Sequence, residues 1–112
     1  MTENAISRSG AVTLEALTSI APDFCNKWNA CSLSVFGSLS TGTFEDRSDV
    51  DIIVDFNPIA QPTLFSLMHM TAELEAHLQR PVDLLDRRAV EQMDNPYLRQ
   101  SIISTERVIY AR

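Results

Sequence analysis

The run Asp49-Val50-Asp51-Ile52-Ile53-Val54 constrains this chain more than any other segment. Its β-branched residues have stiff side-chain torsions that suit a pleated strand, so it predicts a strand over residues 49–56. In a strand, residues i and i+2 point to the same face. Asp49 and Asp51 are therefore neighbours at one end of an apolar strand. Two carboxylates that close repel each other unless a proton or a cation lies between them. The alternative is a solvated strand end that carries two acids by chance.

The segments around this strand read as alternating helices and strands. Residues 32–36 alternate, with Leu33 and Val35 on one face, and predict a strand. Residues 37–48 are small, polar and charged, a loop with one short helical turn. Residues 57–62 form a loop with two prolines. Residues 63–79 give the clearest helix, with Leu64, Leu67, Met68, Thr71, Leu74, Glu75 and Leu78 on one stripe and Thr63 as N-cap. Residues 81–85 read as a short strand, 88–94 and 96–104 as short helices, and 106–111 as a final strand. Upstream, helical spacing over residues 13–28 is interrupted at Pro22. That pattern fits either one kinked helix or two short ones. The order predicts an α/β (α+β) fold with one small mixed sheet flanked by helices.

At 112 residues the chain is expected to form a single domain over 1–112, with 1–10 as a loose lead. Its 45% hydrophobic content excludes a disordered chain. No apolar stretch approaches the roughly 20 residues of a membrane span, and residues 1–10 lack the apolar core of a secretory signal. Cys25 and Cys31 match no disulfide framework or metal pattern. They predict reduced thiols in a cytoplasmic protein. The net charge of −6 is unevenly spread. Residues 41–86 set Arg47 and Arg80 against nine acids, whereas residues 87–112 are net basic. The acidic middle argues against direct nucleic-acid binding, which needs cationic surface. It remains compatible with a nucleotide held through metal ions.

Two further features join the paired aspartates. Gly37-Ser38 directly follows a predicted strand, and a glycine lets a ligand approach the backbone closely. Amides and a hydroxyl at a strand-to-helix turn suit a phosphate, although the pair alone is an ordinary turn signal. Asp83 lies between apolar residues in a predicted strand, where a carboxylate is costly unless paired or bound to metal. If that strand lies beside residues 49–56, Asp83 could reach the same ion. Asp55 shares the parity of Asp49 and Asp51 but sits near the far end and reads as surface.

The series Val35-Phe36-Gly37-Ser38, Gly42 and Ser48-Asp49-Val50-Asp51-Ile52-Ile53-Val54 resembles the minimal nucleotidyltransferases of the DNA polymerase β-like superfamily. The helix after the second strand, the Arg80-Pro81-Val82-Asp83-Leu84 element and the closing Val108-Ile109-Tyr110 strand extend the resemblance over most of the chain. It implies a polymerase β-like fold. It also implies that Gly37 and Ser38 hold the triphosphate of ATP, and that Asp49, Asp51 and Asp83 bind two Mg²⁺ ions. Asp83 would in addition help deprotonate the acceptor hydroxyl. One departure stands out. Relatives often carry arginines two and four residues after the glycine, where this chain has Leu39 and Thr41. Arg47 is a substitute on this reading, or else a local partner for Asp46 and Asp49.

The chain has no room for a further acceptor-holding domain, which points to a partner protein. The resemblance implies an antitoxin whose partner is a HEPN-domain toxin, silenced by AMP transfer to a tyrosine. The competing reading is a binding module that blocks a toxin sterically. A nucleotidyltransferase subunit acting on RNA or a small molecule is a third. Homo- or hetero-oligomers are compatible with any of these. His69 and His77 read as surface, Trp28 as a core or interface aromatic, and Met68 and Met70 as core or partner contacts.

Overall fold

The structure, a computed structural model, describes residues 8–112. Strands β1 (Ala30–Phe36), β2 (Val50–Phe56), β3 (Val82–Asp86) and β4 (Arg107–Ala111) form one sheet in the order β3-β2-β1-β4. The apolar β2 takes an interior place, as its composition requires, and its two neighbours differ in sense. β1 pairs with it antiparallel and β3 parallel, while β4 pairs antiparallel with the far side of β1. The sheet is therefore mixed, as expected.

The helices are α1 (Arg8–Trp28), α2 (Ser38–Thr41), α3 (Leu64–Leu78), α4 (Arg87–Glu91) and α5 (Pro96–Thr105). Two cores lie on opposite faces of the sheet. Leu33, Val35, Ile52 and Val54 pack with Leu17, Phe24, Met70 and Leu74 of α1 and α3. Phe36 and Ile53 pack with Val90 of α4 and Ile102 of α5. Strand alternation divides β2 between these cores and places Asp51, Ile53 and Asp55 on the α4/α5 face.

α1 is one continuous helix despite Pro22. Thr18, whose carbonyl loses its partner at Pro22, and Pro22 itself are both exposed, so water can satisfy the orphaned group. Of the expected loose lead, residues 1–7 lie outside the described residues, whereas Gly10 is buried within α1. α3 begins at the expected cap, and Thr63 and Ser66 form a reciprocal capping box. Its buried face is rotated from the expected stripe. Met70 is fully buried, whereas Leu64 is 72% exposed and Met68 58%. The buried face packs Met70, Leu74 and Leu78 into the core shared with Leu17, Ala21 and Phe24 of α1, and at the same contact Glu73 accepts from Lys27 Nζ at 2.8 Å and Trp28 Nε1 at 3.3 Å.

α4 stops at Glu91, short of the expected end at residue 94. Asn95 instead caps the next helix by accepting from the amides of Tyr97 and Leu98, with Pro96 in the first turn. Cys25 is buried in the larger core, and burial pushes its thiol pKa up to about 11. No described helix is long and apolar enough to cross a membrane.

Candidate active site

The candidate site forms where β1 ends and β2 begins. Antiparallel pairing sets Phe36 opposite Asp51, and parallel pairing sets Asp83 opposite Asp51. Asp49 lies one residue ahead of β2. The sheet thus gathers all three predicted aspartates around Asp51, from segments distant in sequence.

Gly37 makes the turn out of β1. Its backbone, at φ 67° and ψ −145°, lies where only glycine is comfortable. A Cβ at this position would overlap the Asp51 carboxylate. The turn continues into α2, which Gly42 ends in the left-handed conformation at φ 87°. Gly37 O accepts from Ser40 and Thr41, and Ser38 O accepts from Gly42 and Thr43. A helix start leaves its first amides without partners in its own turn, here those of Ser38 and Leu39. The Gly37 amide is not among the spare donors, because it donates to Thr105 Oγ1 at 3.1 Å. Thr105, on the last turn of α5, had no signal in the sequence.

Asp51 is half-buried, and Asp49 and Asp83 are exposed. Burial, reinforced by Asp83 and then by Asp49, raises the Asp51 pKa from 3.8 to about 6. Among the described residues none of the three aspartates has an ion-pair partner. The negative charge around Asp51 is therefore uncompensated by protein, which fits a divalent cation. The fit is one of charge and donor type. Among the described residues no three His, Cys, Asp or Glu side chains converge into a finished metal cage.

Two expectations change here. Asp83 is exposed on the edge strand β3 rather than held among apolar groups, so burial does not force a partner on it. Arg47 forms no ion pair among the described residues. Asp46 instead meets Arg80 at 3.9 Å, and Arg80 also donates to the carbonyls of Glu45 and Asp46 and lies over the Phe44 ring.

At the departure from the arginine pattern, Leu39 is 1% exposed and belongs to the larger core. Thr41 is exposed and hydrogen-bonds Thr43. Asp55 lies 3.8 Å from Arg87, away from the three aspartates, as its sequence position suggested. His69 and His77 are exposed. A cavity of about 800 Å³ opens between α1, the end of α3 and Arg80, and of the aspartates near the site only Asp46 lines it, not Asp49, Asp51 or Asp83. Asp49 and Asp83 are open to solvent, and Asp51 is half-buried between them.

Residues 20–112 match the family model for polymerase beta nucleotidyltransferases. The protein adenylyltransferase MntA of Thermococcus cleftensis is 33% identical over 84 residues, covering 71% of this chain and 83% of that protein. A solved structure described as a candidate minimal nucleotidyltransferase is 27% identical with a TM-score of 0.66, covering 86% of this chain and 92% of the other. A Shewanella oneidensis complex of tri-AMPylated HEPN toxin with MNT antitoxin includes a chain with the same fold at 17% identity. Its TM-score is 0.62, with 92% of this chain and 73% of that one covered.

Proposed function

The chain belongs to the polymerase β nucleotidyltransferase family, and from that premise we propose that it transfers AMP from ATP to a hydroxyl of a partner protein. The observation that carries this reading is the Asp51 carboxylate, set between the Gly37 turn and the Asp83 side of the sheet with its charge unpaired.

Asp49, Asp51 and Asp83 are the residues that would hold Mg²⁺, two ions by family resemblance. Bound there, the metal would neutralise phosphate charge as it builds up during transfer. Gly37 contributes the close backbone approach. Ser38 contributes its amide and hydroxyl to the triphosphate, with the Leu39 amide beside it. Exposed on the edge strand, Asp83 is open to an incoming acceptor and suited to take its hydroxyl proton. The acceptor oxygen then bonds to the α-phosphorus, the bond to the bridging oxygen breaks, and pyrophosphate leaves. Catalysis on this scheme is positioning plus charge neutralisation.

The acceptor is a tyrosine of a HEPN-type toxin, and the chain acts as its antitoxin as a single nucleotidyltransferase domain. Support comes from the protein adenylyltransferase MntA and from the fold shared with the MNT antitoxin of the AMPylated complex. One observation favours the second reading, a steric binding module. Position 39 is buried leucine and position 41 threonine, so the turn lacks arginine.

The test uses ATP labelled at the α-phosphate, Mg²⁺ and host extract, comparing wild type with the Asp49→Ala/Asp51→Ala double variant. A protein labelled by wild type only is the expected result, and its identification names the acceptor. Partner capture by both proteins without any labelling would sink the enzyme reading in favour of the steric one.

A further inference from the structure

The Gly37 turn has a second anchor, far from it in sequence. Thr105, at the end of α5, grips it twice. Gly37 N–H donates to Thr105 Oγ1 at 3.1 Å, and Ser40 Oγ donates to the Thr105 carbonyl. The Thr105 hydroxyl points its own hydrogen back into α5, toward the carbonyls of Ser101 at 3.1 Å and Ile102 at 3.2 Å. That orientation directs its lone pairs at Gly37.

Thr105 is itself held on both sides. Ile102, one turn earlier, is buried beneath α4 against Ile53 and Phe36. Glu106, the next residue, takes two hydrogen bonds from the Arg87 guanidinium at the head of α4. Arg87, with help from the buried Ser34, holds the Glu106 carboxyl below its ordinary pKa. Among the described residues no group meets hydrogen-bond geometry with the Ser34 hydroxyl. Arg87 also reaches Asp55 on β2 at 3.8 Å. The strand that carries Asp51 and the turn that carries Gly37 are thereby tied to the same α5–β4 junction.

We propose that Thr105 is a positioning residue that fixes the Gly37–Ser40 turn in the shape that presents the Ser38 and Leu39 amides to a triphosphate. The proposal rests on the nucleotide reading of the site. The hydroxyl hydrogen is committed to α5 and a lone pair to the Gly37 amide, so the hydroxyl acts through the turn. A preformed turn avoids the ordering cost that a mobile loop incurs when nucleotide binds.

The test compares wild type, Thr105→Val, which keeps the shape without the hydroxyl, and Thr105→Ser, which keeps the hydroxyl. Two quantities are read: Gly37 amide hydrogen exchange without ligand, and affinity for a non-hydrolysable ATP analogue with Mg²⁺. Thr105→Val is expected to speed Gly37 exchange and to weaken analogue binding about fivefold, the loss of one net hydrogen bond. KM for ATP should rise in parallel with kcat little changed, and Thr105→Ser should return both readings to near wild type. Unchanged exchange in Thr105→Val overturns the clamp. Faster exchange with unchanged affinity, or no rescue by serine, overturns the positioning role. Wild type that binds no analogue overturns the nucleotide reading and the positioning role with it, and the exchange arm then still reports whether the clamp exists.

Discussion

The Asp51 carboxylate occupies the space in which any side chain at position 37 would begin. Glycine is thus required at the turn for two separable reasons, the positive φ of 67° and the proximity of Asp51. A ligand at the turn would meet bare backbone and a carboxylate within one small volume.

Gly37→Ala should therefore cost about 2 kcal/mol of stability and abolish nucleotide binding. Adding Asp51→Ala removes the overlap but leaves the strained φ. Urea denaturation of the double variant should recover part of the loss and no more. Full recovery would mean the backbone conformation carries no cost.

Asp49→Ala with Asp51→Ala should leave the melting temperature unchanged or raised in chelator-treated buffer, because like charge around Asp51 is removed. A marked fall in melting temperature without metal would make these carboxylates structural and defeat the site assignment. AMP transfer should vanish in the same variant.

The raised pKa of Asp51 gives stability a pH dependence of definite sign. The folded chain binds this proton at about 6 and the unfolded chain near 3.8. Protonation therefore favours folding. The destabilisation is complete above about pH 6 and gone below the unfolded value. Glu106 acts in the opposite sense. Arg87 lowers its pKa from 4.5, so its contribution is present above that value and lost as pH falls through the folded pKa. Comparing Asp51→Asn with wild type isolates the first effect. In metal-free buffer the asparagine variant should melt higher at pH 7.5, and the gap should close by about pH 4.

Adding arginine at the two departing positions should have unequal effects. Position 39 lies in the core, so Leu39→Arg buries an unpaired charge and should cost roughly 4 kcal/mol. Position 41 is exposed, and Thr41→Arg should keep the melting temperature while lowering KM for ATP. Thermal melts and initial rates check both. A raised KM in Thr41→Arg would show that position to point away from phosphate.

The local rules were well expressed in the sequence. The β-branched run produced β2, Thr63 capped α3 where expected, and Gly37 broke the chain at the end of β1. Motif spacing was enough to group Gly37, Asp49 and Asp51, because an antiparallel pair brings the end of one strand to the start of the next. The stripe on α3 was less legible. Leu64, Phe65 and Met68 are as apolar as the residues that the helix buries, and packing against α1 chose between the faces.

What the sequence determined by itself was the set of elements and the residue types at the site, since these follow from torsional preference, periodicity and capping over a few residues. Which groups the site leaves free followed only from the packing of the folded chain. Asp83 became an exposed edge-strand acid opposite Asp51, Arg80 rather than Arg47 took Asp46, and Thr105 took the Gly37 amide. Each of those outcomes depends on register or on contact between segments distant in the chain. Their energies are set by burial and by the neighbours that folding supplies, and no local window of sequence contains those neighbours.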